Sequence, residues 1–195
     1  HGIARMDPRP ARPESRPTVA REPDSGAVER QPPPHDFLSP PERPGELGRL
    51  GPYRVLAELG RGGMGAVYRA EETDLKRQVA LKVVLPGACA DGRAKARFRR
   101  EAEAQAQVEH DHIIAIYRVG EIDGVPFIAM PLLKGQTLAA ALKQGPRPPL
   151  QEVARVGREV ALGLAAAHEA GLIHRDIKPG NVWLEGSRRR VKILD

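Results

Sequence analysis

Gly60-Arg61-Gly62-Gly63-Met64-Gly65 is the stretch that most restricts what this chain can fold into. Before it, Tyr53, Val55, Ala57 and Leu59 alternate with polar or small residues, the period of a half-buried strand. After it, Ala66-Val67-Tyr68-Arg69-Ala70 reads as the hairpin partner. The glycines also let backbone amides approach phosphate oxygens without a side-chain clash. From Gly60 to Val67 the pattern is G-x-G-x-x-G-x-V, which a dinucleotide-binding turn also uses. Such a turn opens a helix, whereas here the chain continues into β-type residues. The sequence has no Gly-Lys pair, so a Walker-type loop is excluded. Taken alone, the segment is equally consistent with a plain glycine-rich hairpin.

The elements on either side extend this start. Gln78 to Leu85 is a nearly continuous apolar run, interrupted by Lys82 and closed by Pro86 and Gly87. Residues 91–108 are rich in helix formers, with Asp91 as the expected cap. Residues 113–119 and 125–130 read as two further strands joined by a turn at 121–124. Five strands and one helix make a small α+β lobe. Beyond Pro131 the character turns helical. A short helix is expected over 138–143, stopping at Gly145. A longer one carries Val153, Val156, Val160, Leu164 and Ala167 as a single buried stripe. Short strands around Val182-Trp183-Leu184 and Val191-Lys192-Ile193-Leu194 follow.

Composition limits the function classes. The chain has 195 residues and 41% apolar residues, and 11 of its 19 prolines fall in residues 1–50. That stretch lacks apolar periodicity and is expected to be a disordered leader, since it cannot bury enough surface to offset its ordering entropy. It holds 8 Arg against 8 Asp or Glu, so the net charge of +6 arises in residues 51–195. There it is concentrated in Arg93, Lys95, Arg97, Arg99 and Arg100 and in Arg188-Arg189-Arg190. Only Phe98 interleaves with these cations, so they read as solvated faces rather than a nucleic-acid stripe. The single cysteine, Cys89, excludes an internal disulfide. No apolar run reaches membrane-spanning length. His110-Asp111-His112 lacks the spacing of a helical ligand pair and reads as a structural corner.

The chemistry concentrates in two places. Lys82 sits inside an apolar strand, where an unpaired charge is costly, so it requires a partner. Glu101, 19 residues on, is the candidate, with Glu103 about 200° round the helix as the fallback. His174-Arg175-Asp176-Ile177-Lys178-Pro179-Gly180-Asn181 puts a carboxylate, an ammonium and a carboxamide within six residues. Asp176 can accept a hydroxyl proton, Lys178 can neutralise charge on a transferred phosphate, and Asn181 can hold a metal ion.

Together the glycine loop, Val79-Ala80-Leu81-Lys82 and the 174–181 segment resemble the protein kinase family, of the serine/threonine type found in bacteria. The resemblance covers about residues 53–195. It implies a two-lobe fold: an N-lobe over 53–130, a hinge at 131–135 and the first part of a helical C-lobe over 136–195. It implies ATP and Mg2+ as cofactors, with Leu59, Gly60, Arg61, Gly62, Gly63, Met64, Gly65, Val67, Ala80, Lys82, Glu101, Met130, Pro131, Leu133 and Trp183 around the nucleotide. Pro131 departs from the usual acidic hinge residue but keeps the carbonyl that adenine uses. Trp183 replaces the usual leucine or methionine, and either stacks on the base, narrows the pocket or serves as a core anchor. Asp176, Lys178 and Lys82 are the implied catalytic residues, and Asn181 and Asp195 the implied metal ligands. Arg175 is the implied dock for a phosphorylated activation loop, and His174 is expected to pack structurally.

The resemblance further implies serine or threonine hydroxyls of proteins as acceptors and a cytoplasmic kinase region. Any membrane anchor would fall beyond residue 195. Two other readings are a catalytically inactive ATP-binding scaffold and a small-molecule phosphotransferase of the same fold. The missing initiator Met and the ending on Asp195 suggest a fragment, expected by itself to be inactive and poorly stable.

Overall fold

The computed structural model describes residues 35–63, 65–85 and 92–194. Met64, Cys89, Asp91 and Asp195 lie outside the described residues, as do residues 1–34. The first layer is an antiparallel sheet of β1 (Gly48–Leu50), β2 (Tyr53–Arg61), β3 (Gly65–Glu72), β4 (Arg77–Val84), β5 (Arg118–Ile122) and β6 (Val125–Pro131). Its order is β1-β2-β3-β4-β6-β5. The period of two divides its side chains between two cores. Tyr53, Val55, Tyr68, Val79, Leu81, Val83 and Phe127 fill one face. Ala80, Ile128 and Met130 fill the other, with Val67 and Val119 beside them. Lys82 is two residues from Ala80 and therefore lies on this second face.

Helix α1 (Gly92–Gln105) covers the second face through Phe98 and Ala102, one turn apart. The β5–β6 hairpin closes on Asp123 and Gly124, with φ of 50° and 80°. Both central residues in the left-handed region match the twist of the flanking strands. Beyond β6, α2 (Leu138–Gln144) starts at Thr137, whose hydroxyl accepts from Ala140 N–H at 3.1 Å. Helix α3 (Leu150–Glu169) follows. A second antiparallel sheet has the order β7 (Gly135–Thr137), β8 (Val182–Glu185), β9 (Arg190–Ile193). Val182, Leu184, Val191 and Ile193 face α2 and α3, meeting Leu138, Ala141, Val156, Val160 and Leu164.

Four expectations change. The sheet has six strands rather than five, because Gly48–Leu50 adds an edge strand to β2. Residues 35–50, assigned to a disordered leader, are ordered: Phe37, Leu38 and Leu50 bury apolar surface against the first core. Local composition hid this, since the surface they cover belongs to strands distant in sequence. The strand expected over 113–119 runs instead over Arg118–Ile122. Ile113 turns away to bridge Ile193 in the second layer. The α3 stripe splits: Val156, Val160 and Leu164 are packed, whereas Val153 is half exposed and only Gly163 is fully buried.

Glu46 ties the N-terminal segment down. Its side chain has no solvent access, and it accepts from Arg54 Nε at 2.6 Å and from the Glu42 N–H at 3.0 Å. Arg49 completes the cluster. Burial alone would raise this carboxyl, but the Arg49 and Arg54 hydrogen bonds outweigh it and lower the pKa from 4.5 to about 2. A depressed folded-state pKa gives stability that is complete above about 4.5 and is lost as pH falls toward 2. Glu46→Gln is therefore expected to lower Tm by several degrees at pH 7. It should also flatten the decline of Tm between pH 5 and pH 2 in thermal melts, because the variant has no carboxyl left to protonate.

Candidate active site

Residues 172–178 form an irregular loop after α3, and a 3-10 turn, Pro179–Asn181, leads into β8. Arg175 has φ of 63°, a left-handed backbone that a non-glycine residue adopts only when its surroundings hold it. Asp176 Oδ2 accepts from Lys178 Nζ at 2.7 Å and from Asn181 Nδ2 at 3.0 Å. Asn181 Nδ2 also donates to the Asp176 carbonyl at 2.9 Å. The Lys178 hydrogen bond is the main cause that holds the Asp176 carboxyl below the usual range, and Asn181 adds to it. The Asp176 side chain nevertheless remains 61% accessible, so a substrate can reach it.

Two further hydrogen bonds join this loop to the end of β9. Leu194 N–H donates to the Asn181 carbonyl at 2.9 Å. The Leu194 carbonyl bonds His174 Nε2, also at 2.9 Å. His174 Nδ1 accepts from Asp176 N–H at 3.3 Å, so the ring carries its proton on Nε2. His174 thus links the Asp176 backbone to Leu194.

The glycine loop rises between β2 and β3, which pair as Gly60↔Val67 and Arg61↔Ala66. Gly62 N–H closes it on the Gly65 carbonyl at 2.8 Å. Its glycines are not equivalent. A Cβ on Gly65 would lie 2.2 Å from the Val83 carbonyl oxygen, so the fold itself demands glycine there. A Cβ on Gly60, Gly62 or Gly63 would meet nothing within 4 Å. Packing among the described residues does not require those three. Lys82 is half-buried on β4, flanked by Val67 of β3 and Ile128 of β6.

The expected Lys82–Glu101 ion pair is corrected. Glu101 is exposed on α1, about 100° round the helix from the buried Ala102. Among the described residues it makes no ion pair with Lys82. Glu103 bonds Arg99 at 2.7 Å and is no substitute.

The remaining predicted residues assemble from both layers. Val67, Ala80, Met130 and Leu133 share one apolar cluster with Leu132 and Leu194. Leu59 is about half exposed beside the glycine loop. Pro131 ends β6 opposite Val79. Trp183 is half-buried on β8 and points away from Val182 and Leu184, which fill the second core. Its indole N–H donates to the Lys134 carbonyl at 3.3 Å. The alternative of a core anchor is therefore not what the register produces, and the ring lies beside the hinge.

Sequence reasoning missed strand β7, which pairs Thr137 with Trp183 and holds the indole in place. It also missed Glu159, which accepts the Val191 N–H at 2.9 Å and Arg155 Nη1 at 2.6 Å. Burial raises the Glu159 carboxyl, but these bonds outweigh burial and hold it below its usual value. The acidic and basic residues at i, i+4 spacing were the available signal. His112 bonds the Val191 carbonyl at 3.1 Å, so the 110–112 corner joins β9.

The chemistry of the donor set also fits a hard cation. Asn181 commits Nδ2 to Asp176, which leaves Oδ1 as the free oxygen donor that Mg2+ favours.

Comparison with known proteins agrees with this geometry. The protein kinase domain family matches residues 53–195. The chain is 44% identical over 140 residues to serine/threonine-protein kinase PknD of Mycobacterium tuberculosis, covering 71% of this chain and 21% of that protein. It is 39% identical over 154 residues to serine/threonine-protein kinase pkn2 of Myxococcus xanthus, covering 78% of this chain and 18% of that protein. The chain thus spans about a fifth of the length of these relatives. The crystal structure of the Mycobacterium tuberculosis PknI kinase domain superposes with a TM-score of 0.66 at 35% identity, covering 75% of this chain and 60% of that one. With the glycine loop, the strand lysine and the 174–181 segment in one fold, this chain belongs to the protein kinase family.

Proposed function

We infer that the chain is the nucleotide-binding and catalytic-loop portion of an ATP-dependent protein serine/threonine kinase. The observation that carries this reading is the exposed Asp176 carboxylate bonded to both Lys178 and Asn181. A carboxylate held below its usual pKa stays ionised at neutral pH and can orient and accept a hydroxyl proton. As the acceptor oxygen bonds the γ-phosphorus, the bond to the bridging oxygen of ADP breaks and the hydroxyl proton passes to Asp176. Lys178 is placed to balance the charge on the transferred group. Asn181 and Asp195 would hold Mg2+, which supplies charge neutralisation at the phosphates when bound. Gly60, Gly62 and Gly63 would receive the phosphates on backbone N–H groups, and Lys82 would contact them from β4. Val67, Ala80, Met130, Leu133 and Trp183 would line the adenine site.

The protein acceptor is supported by the Lys178 position, two residues after the base, and by the serine/threonine kinase relatives. In the full-length protein, Asp176→Asn should lower phosphate transfer by about 100-fold or more while ATP still binds. Undiminished transfer would refute the assignment of the base. Serine peptides and small-molecule alcohols offered side by side should be told apart, with transfer to the peptides alone.

The glycines provide a second test. Gly65→Ala should destabilise the fold by about 1–3 kcal/mol, the cost of forcing a methyl group into a packed contact. Gly62→Ala should shift stability by no more than about 0.5 kcal/mol, as a substitution in open space. It should nonetheless weaken ATP binding in a direct titration.

A further inference from the structure

The nucleotide loop is anchored from its upper side by a chain of side chains that reaches the N-terminal segment. Arg61, inside the glycine loop, forms a two-point contact with Glu58: Nε to Oε1 at 3.1 Å and Nη2 to Oε2 at 2.6 Å. The same Nη2 donates to the Tyr68 hydroxyl at 3.1 Å. A guanidinium can only donate, so the Tyr68 oxygen is the acceptor and its proton is free to go elsewhere. His35 Nδ1 lies 3.1 Å from that oxygen, and the Glu58 carboxylate is a further hydrogen-bond partner of the hydroxyl. Arg61, Glu58, Tyr68 and His35 are thereby linked in one hydrogen-bonded chain.

Both ends of this chain are held. The Tyr68 ring is fully buried and meets His35 and Phe37 edge-on, at centroid distances of 5.6 and 6.1 Å. His35 is tied to its own segment, since its carbonyl accepts Leu38 N–H at 3.0 Å. Ser39 then bridges Arg49, and Glu46 clamps Arg49 and Arg54. On the other side, Arg61 is part of the loop backbone that pairs with Ala66.

We propose that residues 35–50 position the nucleotide loop through the His35–Tyr68–Arg61 chain. His35 and Tyr68 are then positioning residues for ATP, although neither lies on the nucleotide face of the sheet. Tyr68 points into the core opposite Val67, and His35 reaches it from outside that core. The inference rests on the reading of residues 60–65 as the ATP loop.

The test uses the full-length protein and Mg-ATP as the probe. Tyr68→Phe keeps the buried ring and removes only the hydroxyl. His35→Ala removes the ring nitrogen, and His35→Asn keeps a hydrogen-bonding atom near the position of Nδ1. Tyr68→Phe and His35→Ala should each weaken Mg-ATP binding by about two- to ten-fold, the worth of one hydrogen bond. The double variant should be no weaker than either single one, since both break the same chain. The effect should appear in KM for ATP and not in kcat at saturation. His35→Asn should bind like the parent. Amide exchange over residues 58–67 without nucleotide should quicken in both single variants by more than exchange over the rest of the first sheet. Unchanged binding and exchange in both, or losses that multiply in the double variant, would overturn the proposal. A parent protein that fails to bind Mg-ATP refutes the ATP reading instead. In that case the exchange measurement decides the coupling by itself: faster exchange supports it and unchanged exchange overturns it.

Discussion

Two consecutive residues at the end of β9 hold this structure together. Ile193 exchanges backbone hydrogen bonds with the 112–114 segment: its N–H donates to the His112 carbonyl at 2.8 Å, and its carbonyl accepts Ile114 N–H at 3.0 Å. Leu194, the next residue, does the same with the catalytic loop through Asn181 and His174. One peptide thus joins the connection from α1 to the first sheet, and the next fixes the 174–181 loop. Backbone groups must find partners when buried, so this double use leaves the strand end little freedom. The relation between Asp176 and the strands above it follows from this join rather than from any contact of Asp176 itself.

The other half of the site follows from strand periodicity. Alternation along β4 sends Val79, Leu81 and Val83 into one core and turns Ala80 and Lys82 to the opposite face. Alternation along β8 likewise sends Val182 and Leu184 into the second core and Trp183 toward the hinge. A slip of one residue in either strand would bury the functional side chain and expose its neighbours. The apolar cores therefore set the orientation of the polar and aromatic groups that face the cleft. The glycine loop adds a different kind of constraint. Gly65 is demanded by the Val83 carbonyl, whereas Gly60, Gly62 and Gly63 are demanded by nothing in the fold.

The order of residues 35–50 shows how non-local the first core is. Phe37 and Leu38 have no periodic pattern around them, and prolines surround them in sequence. They are ordered because β2, β3 and β6 present Tyr53, Tyr68 and Phe127 as a surface to cover. Glu46 and two arginines then hold the segment at the sheet edge. The same packing brings His35 to Tyr68, and so to Arg61.

The mutual contacts of the candidate site residues were largely legible in the chain. Asp176, Lys178 and Asn181 lie within one short segment, so their mutual contacts depend on local geometry that residue order dictates. The glycine pattern, the strand lysine and the helix from 92 to 105 were legible for the same reason: each rests on a period or a turn only a few residues long. What the sequence could not determine are relations between distant residues. The rotation of α1 leaves Glu101 about 100° from the buried face, because Phe98 and Ala102 win the apolar contacts. The sixth strand, the Trp183–Lys134 bond, the Glu159–Val191 clamp and the ordering of residues 35–50 likewise depend on surfaces built elsewhere in the chain. Sequence by itself determined the residue chemistry and the local elements, since those energies are short-range. Only the tertiary structure decided which faces meet, since burial is settled by whichever distant partner covers the most apolar surface.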